Sequence, residues 1–396
     1  MHLSNILLTF AAAVAGTSAG LPQQQGNSQV LLFAGSYTRD EGWVNGTGAG
    51  VTTIKFNPVD GSLKIWASTA IGNNPRYVVG TKKPFETGER VIYVINAVTE
   101  DSVKYPGTQT GWVSAHTLKK DGKLEHLNTL ETRGGSPTHI SLSPNEDFLI
   151  VSNYQGSITM FPLNSDGSLG ADSYHQEYKK GSGVAPPQTN GILHSTTWVP
   201  ESNHVIAANL GSDELYLFEL DAKDQDLKLL ETVNRPPGSG PRHMAIRPDK
   251  KFAYVVDEIG NTVGVYAIDK TTGMLSTTAL QNITTLPAGY KDATTSADIH
   301  ISSDNKYLYT SNRGHNSIAM YKIDGIAGTL TPLGFESTRG KIPHGFTVYG
   351  KWLIVANQDS NNMHVFEISA NGRLKYSGHS LDIGTVVCLY ATEYNI

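Results

Sequence analysis

The chain has 396 residues, 39% of them hydrophobic and 17% charged, with Gly 40, Pro 18, Cys 1 and a formal net charge of -5. Sparse, mildly acidic charge without any Lys/Arg run excludes the basic groove of a nucleic-acid binder and a cationic membrane-binding face, and recurrent aromatic and β-branched residues exclude a disordered chain. The lone Cys388 excludes an internal disulfide framework and a cysteine-based zinc site.

In chain order, the first element is an apolar stretch, Ile6 to Ala15, followed by the small residues Thr17 and Ala19. This is the pattern of a secretory signal peptide cleaved near Ala19 or Gly20, although no Lys or Arg precedes it. The stretch is too short to span a bilayer and no second candidate follows. Residues 1–20 are therefore expected to be a signal peptide, which makes the protein secreted, extracellular or associated with a cell wall. Residues 21–30, rich in Gln, Gly and Ser, are expected to be a disordered mature N-terminus. Two glycosylation sequons, at Asn45 and Asn282, lie in loop-like sequence and fit export.

From residue 31 onwards the chain repeats itself. Leu31 to Gly35, Val51 to Phe56 and Ser62 to Ala67 read as three short strands. A diverged four-run unit begins at Pro75. The same order recurs from Pro137 to Leu169, from Leu193, from Pro241 to Leu275, from Ala297 to Leu330 and from Pro343. Each copy has an opening run, a polar turn, an apolar run such as FLIVSN or FAYVVD, a third run and a Gly-containing turn. No amphipathic helix of ten or more residues is predicted in the mature chain. Unit length and strand count are those of a propeller blade. The strand that the first unit lacks is supplied by Val386 to Ala391, closing the ring with both termini and removing an open edge. The expected fold is all-β: one seven-bladed β-propeller domain spanning 31–396, its blades four-stranded and antiparallel. Two packed sandwiches would not copy one unit at fixed period.

Phasing the copies predicts a site. The first strand of each blade lines the channel, and its start shares a face with the end of the second strand. First-strand starts are Arg76, Thr138-His139, His194, Arg242-His243, Ile299-His300, Pro343-His344 and Thr385; second-strand ends are Ser36, Ala97, Tyr154, Leu210, Glu258, Arg313 and Gln358. His194, Arg242, Glu258 and Arg313 fall in three consecutive blades. Guanidiniums clamp carboxylates and stabilise a developing oxyanion or enolate, and a carboxylate or imidazole can move the proton. These four are the candidate catalytic residues. Arg76, His139, His243, His300 and His344 are the candidate substrate-binding residues. The same ion cluster is also what a self-satisfied network would look like. The Asx series Asn153, Asn209, Asp257, Asn312 and Asn357 is expected to stabilise turns. No metal site is expected, because neither His-x-His nor His-Glu-x-x-His occurs. Ser195 has no G-x-S-x-G elbow around it, which argues against a serine-hydrolase triad.

The runs GSGPRH (Gly238 to His243), DEIGNTVGVY (Asp257 to Tyr266) and LYTSNRGHNSIAMY (Leu308 to Tyr321) resemble the seven-bladed lactonase family, as do GSYT (Gly35 to Thr38), NPRYV (Asn74 to Val78) and VSNYQGSI (Val151 to Ile158). The resemblance covers nearly the whole mature chain. It implies a metal-independent enzyme of the 6-phosphogluconolactonase or carboxy-cis,cis-muconate cyclase type. For the cyclase type it implies a site of one His, two Arg and one Glu, falling on His194, Arg242, Glu258 and Arg313. The expectation is a cofactor-free, monomeric, secreted enzyme that forms or opens a lactone on a small anionic substrate, first of the muconate-cyclase kind. Hydrolysis of sugar lactones is the alternative, and a non-catalytic surface propeller acting as adhesin or antigen is the second. Neither a nucleic-acid partner nor a membrane span is expected.

Overall fold

The structure, a computed structural model, describes residues 28–395. The expected signal peptide and most of the expected disordered start lie outside the described residues. Seven four-stranded antiparallel sheets form the described chain. Blade 1 is Ser28–Ser36, Val51–Phe56 and Leu63–Thr69, with Val386–Asn395 as its inner strand. The inner strands of blades 2 to 7 are Pro75–Gly80, Pro137–Leu142, Leu193–Trp198, Pro241–Ile246, Thr295–Ile301 and Pro343–Tyr349. Among the described residues no helix is long and apolar enough to cross a membrane.

The closing seam runs from Ser28 opposite Asn395 to Ser36 opposite Val386. The first strand thus begins three residues earlier than the sequence pattern suggests, and Ser28 to Val30, assigned to the disordered start, are paired backbone. They can be so because the C-terminal strand extends past Ala391 to Asn395 and supplies their partners. Cys388 lies in this seam, buried, and burial pushes its thiol up to about 12.

Each second strand is sandwiched between neighbouring blades, so it is apolar on both faces. FLIVSN, FAYVVD and WLIVAN are buried at every position. The fourth strands meet solvent on one side and are half exposed, as in Leu63–Thr69 and Leu330–Ser337. The core is accordingly a series of inter-blade layers. Tyr254, Val256 and Val265 of blade 5 pack on Leu308 and Tyr321 of blade 6. Across that layer the Tyr254 hydroxyl donates to the Gly328 carbonyl (3.0 Å). Gly328 has φ +72, and a Cβ there would lie 2.4 Å from the Phe252 ring, so only glycine lets this turn nest on blade 5. Tyr93 on Gly167 (2.7 Å) and Tyr309 on Gly372 (3.0 Å) repeat the contact elsewhere in the ring.

The Asx series does more than hold its own turns. Asn153, Asn312 and Asn357 reach back through Nδ2 to the carbonyls of Thr132 (3.0 Å), Thr285 (2.7 Å) and Thr338 (3.0 Å), each at the end of the preceding blade. Asp257 uses an ion pair in the same place, accepting from Arg235 Nε at 3.0 Å. These side chains staple blade to blade. Of the two sequons, Asn45 sits in a loop, but Asn282 lies on the outermost strand of blade 5, where its Oδ1 accepts from Arg235.

Candidate active site

The inner strands share a feature that alternation of side chains does not predict: in every blade the ladder slips by one residue near its start. Pro241 pairs with Asp257 but His243 pairs with Val256, leaving Arg242 as the extra residue. The same β-bulge leaves out Arg76, Thr138, His194 and His344 in their blades, falls between Ser296 and Ile299 in blade 6, and skips Val387 in blade 1. A bulge re-aims the side chain it inserts. Here it splits consecutive residues between the two ends of the channel.

At one end is a cleft of ≈ 740 Å³. Its wall includes Arg76, His194 and His344 from the bulges, and Tyr154, Glu258, Arg313 and Gln358 from second-strand ends. Arg242 lies behind this wall, 1% exposed, with four of its five N–H donors engaged. Its Nε donates to Glu258 Oε2 (2.8 Å) and its Nη1 to the Ala297 carbonyl (2.7 Å). His243 Nε2 accepts from Nη1 (3.3 Å) and His344 Nε2 from Nη2 (3.4 Å). Both imidazoles are held in the tautomer this requires, because His243 Nδ1 donates to Asp298 Oδ1 (2.9 Å) and His344 Nδ1 to the Val387 carbonyl (3.1 Å). Burial and the neighbouring Arg313 lower the Arg242 pKa to about 10, which leaves it charged at neutral pH.

Glu258 is the centre of the cleft wall. Burial would raise its pKa, but Arg313 and Arg242 outweigh that and hold it below the ordinary carboxylate value. Both guanidiniums meet the same oxygen, Oε2, with Arg313 Nη2 at 3.0 Å. Oε1 has no partner among the described residues. Arg313 is only half committed: Nη2 also reaches the Ser296 carbonyl (3.3 Å), while its Nε is buried without a partner. Burial, then Arg242, keeps His194 well below the usual imidazole range and therefore neutral. Its Nδ1 is buried and unpartnered. Arg76, 8% exposed, has no hydrogen-bond or ion-pair partner among the described residues.

At the other end, His139, His243 and His300 line a second depression of ≈ 380 Å³ with Tyr77 and Asp298. Of the nine candidate residues, the cleft therefore gathers His194, Glu258, Arg313, Arg76 and His344, with Arg242 directly behind. The bulges carry His139, His243 and His300 to the opposite mouth. Asp298 and Trp43 escaped the sequence reading. Blade 6 lacks the proline that opens the inner strands of blades 2, 3, 5 and 7, so the repeat puts its first-strand start at Ile299-His300, whereas the strand runs Thr295–Ile301 and Asp298 takes the place that His243 has in blade 5. Trp43 sits in a loop with no repeat to mark it. Among the described residues no cluster of His, Cys, Asp or Glu is arranged to hold a metal ion.

The seven-bladed ring of four-stranded blades places the chain in a class of propellers, and comparison with known proteins gives its family. Residues 31–391 match the family described as "Lactonase, 7-bladed beta-propeller", and the chain belongs to that family. The 6-phosphogluconolactonase of Bacillus subtilis is 28% identical over 366 residues, covering 91% of this chain and 98% of that protein. The 6-phosphogluconolactonase of Formosa agariphila is 29% identical over 344 residues, 85% of this chain and 91% of that one. The periplasmic gluconolactonase of Pseudomonas aeruginosa superposes with a TM-score of 0.80 at 27% identity, covering 92% of this chain and 99% of that chain.

Proposed function

We propose that the protein hydrolyses sugar lactones, with Glu258 as the base and Arg313 as the oxyanion donor. The observation that carries this reading is the division of labour within one carboxylate: Oε2 is pinned by two guanidiniums and Oε1 is left unpartnered at the cleft wall. A water held on Oε1 attacks the lactone carbonyl and gives its proton to Glu258. The new C–O bond places negative charge on the carbonyl oxygen, where the uncommitted Nη1 of Arg313 receives it. Collapse breaks the ring C–O bond, and the proton on Glu258 passes to the departing ring oxygen, so water is consumed and a hydroxy acid forms. Neutral His194, beside them in the wall, orients the water or the ring oxygen.

The lactonase names of the relatives support this alternative over the muconate-cyclase reading, and so does the arrangement of charge. A muconate carrying several carboxylates needs several free cations, whereas Arg242 is buried with most of its donors engaged, and among the described residues only Arg76 and Arg313 line the cleft as cations. The export expected from residues 1–20 belongs to the same proposal, and fractionating cells that express the full chain checks it. The catalytic reading is tested by following proton release from glucono-δ-lactone and its 6-phosphate with wild type, Glu258→Gln and Arg313→Met. Glu258→Gln is expected to lower kcat about 100-fold or more with the fold retained. Wild type that opens no lactone faster than buffer does would end the proposal.

A further inference from the structure

Two features of the cleft take no part in that chemistry, and both lie on the side of the ring away from it. Glu258 and the arginines around it are centred on blade 5. In a ring of seven, the point directly across from blade 5 falls between blades 1 and 2, three and a half blades away. Arg76 stands there, at the bulge of the blade 2 inner strand. It is more than nine-tenths buried and lines the cleft, yet no carboxylate or carbonyl of the described residues meets it. A guanidinium is expensive to bury without a partner, so one left bare in a cavity marks where an anion is received. Its field reaches across the cleft, where it is among the influences that lower Glu258.

Trp43 stands beside it, on the loop joining the first two strands of the blade 1 sequence. The indole is 65% exposed and lines the cleft. Its loop is fixed rather than loose. Glu41 N donates to the Val44 carbonyl (2.9 Å), Gly46 N to Arg39 (3.0 Å) and Gly48 N to Tyr37 (2.8 Å). Val44 is buried as an anchor against Tyr37, Ala97 and Val387. Asn74, just two residues before Arg76, clasps the same loop: its Oδ1 accepts from Thr38 N (3.0 Å) and its Nδ2 donates to Glu41. The Trp43 and Tyr37 rings stand nearly perpendicular, centroids 5.2 Å apart, and the indole keeps most of its surface exposed. A rigid, exposed indole at the lip of a polar cleft is a stacking platform for a ring with an apolar face.

We infer that Arg76 and Trp43 form a recognition wall opposite the reactive one, selecting lactones that carry an anionic group remote from the carbonyl. The inference rests on the hydrolase reading for its substrate and extends it to the choice among substrates. The ring of the sugar lies against Trp43, the anion pairs with Arg76, and the carbonyl is delivered to Glu258.

The experiment compares wild type, Arg76→Gln, Arg76→Lys, Trp43→Ala and Trp43→Phe on glucono-δ-lactone, its 6-phosphate, and a sugar-diacid lactone bearing a free carboxylate. In parallel, calorimetry measures binding of the unreactive acids gluconate and 6-phosphogluconate. Arg76→Gln is expected to lower kcat/KM about 100-fold on the charged lactones and only about threefold on the uncharged one, with partial rescue in Arg76→Lys. Phosphate and carboxylate are told apart by which charged lactone suffers more. Trp43→Ala is expected to raise KM about tenfold for every lactone, with Trp43→Phe near wild type. Equal losses on charged and uncharged lactones would overturn the inference. If wild type opens neither, the hydrolase reading fails by itself, and the binding arm still decides. A preference for 6-phosphogluconate that vanishes in Arg76→Gln upholds the anion site, and equal binding of the two acids by wild type refutes it.

Discussion

The two mouths of the channel hold similar residues and differ in what those residues have left to offer. At the cleft, among the described residues, Arg76 has no partner, Arg313 keeps a buried Nε unpaired, and Glu258 presents a bare Oε1. At the opposite mouth, Asp298 accepts from His243 Nδ1 (2.9 Å), His300 Nε2 (3.2 Å), Ile299 N (2.9 Å) and Phe346 N (3.1 Å). Its carboxyl is held well below the usual range by His300 and His243 despite burial. The carboxylate at this mouth is saturated and the one at the cleft is not, although His139 Nδ1 beside Asp298 is also buried without a partner. Unspent hydrogen-bonding capacity, more than the mere presence of charged groups, separates a site from a strut.

Arg242 joins the two mouths, and removing it is the most severe way to test the contrast. Arg242→Leu strips Glu258 of one cation and leaves two imidazoles and a carbonyl without their donor. Urea unfolding should show a loss of about 3–5 kcal/mol, together with loss of catalysis. A stable, active variant would show that the mouths are independent. Acid is the next largest perturbation. His139, His194 and His344 are held well below the ordinary imidazole value by burial, and His116 and His243 are lowered to about 4. With folded values below unfolded ones, the unfolded chain takes up these protons first as pH falls past about 6.5. Stability should therefore be flat above pH 7 and decline from about pH 6.5 towards 4, by about 1.4 kcal/mol per pH unit for each such imidazole. Depressed Glu258 and Asp298 would add a further loss only at lower pH. Denaturation curves at stepped pH check this, and a stability maximum below pH 6 would contradict it.

Asp298→Asn is milder. It leaves one acceptor oxygen and an NH2 group where four N–H donors converge, so the His243 tautomer is held less firmly and Arg242 loses a defined partner. The expected cost is about tenfold in kcat with KM little changed, and about 1–2 kcal/mol in stability. A change confined to KM would instead place substrate at that mouth. Smallest of all is His300→Ala, which is expected to alter activity by less than about twofold. A large loss there would return the second mouth to the list of functional sites.

The ring itself was legible because apolar runs such as FLIVSN, FAYVVD and WLIVAN recur with Gly-containing turns at fixed order, and the unpaired edge at Leu31 has its complement in VVCLYA. Phasing those copies was also enough to bring His194, Glu258 and Arg313 to one rim, since strand direction alone fixes which ends meet. It does not separate Arg242 from His243 or Thr138 from His139, and it puts His139, His243 and His300 on the same rim as His194.

Local sequence determined the blades, their number, their closure and which strand ends gather, because each follows from hydrophobic periodicity and turn chemistry within one repeat. The tertiary structure alone decided which arginine is buried and which is bare, that Trp43 overhangs the cleft, and which mouth Asp298 saturates. A β-bulge is one residue of slippage between two strands, and hydrogen-bond satisfaction is a property of all the neighbours a side chain finds across blades. Neither is written in the residues of a single strand.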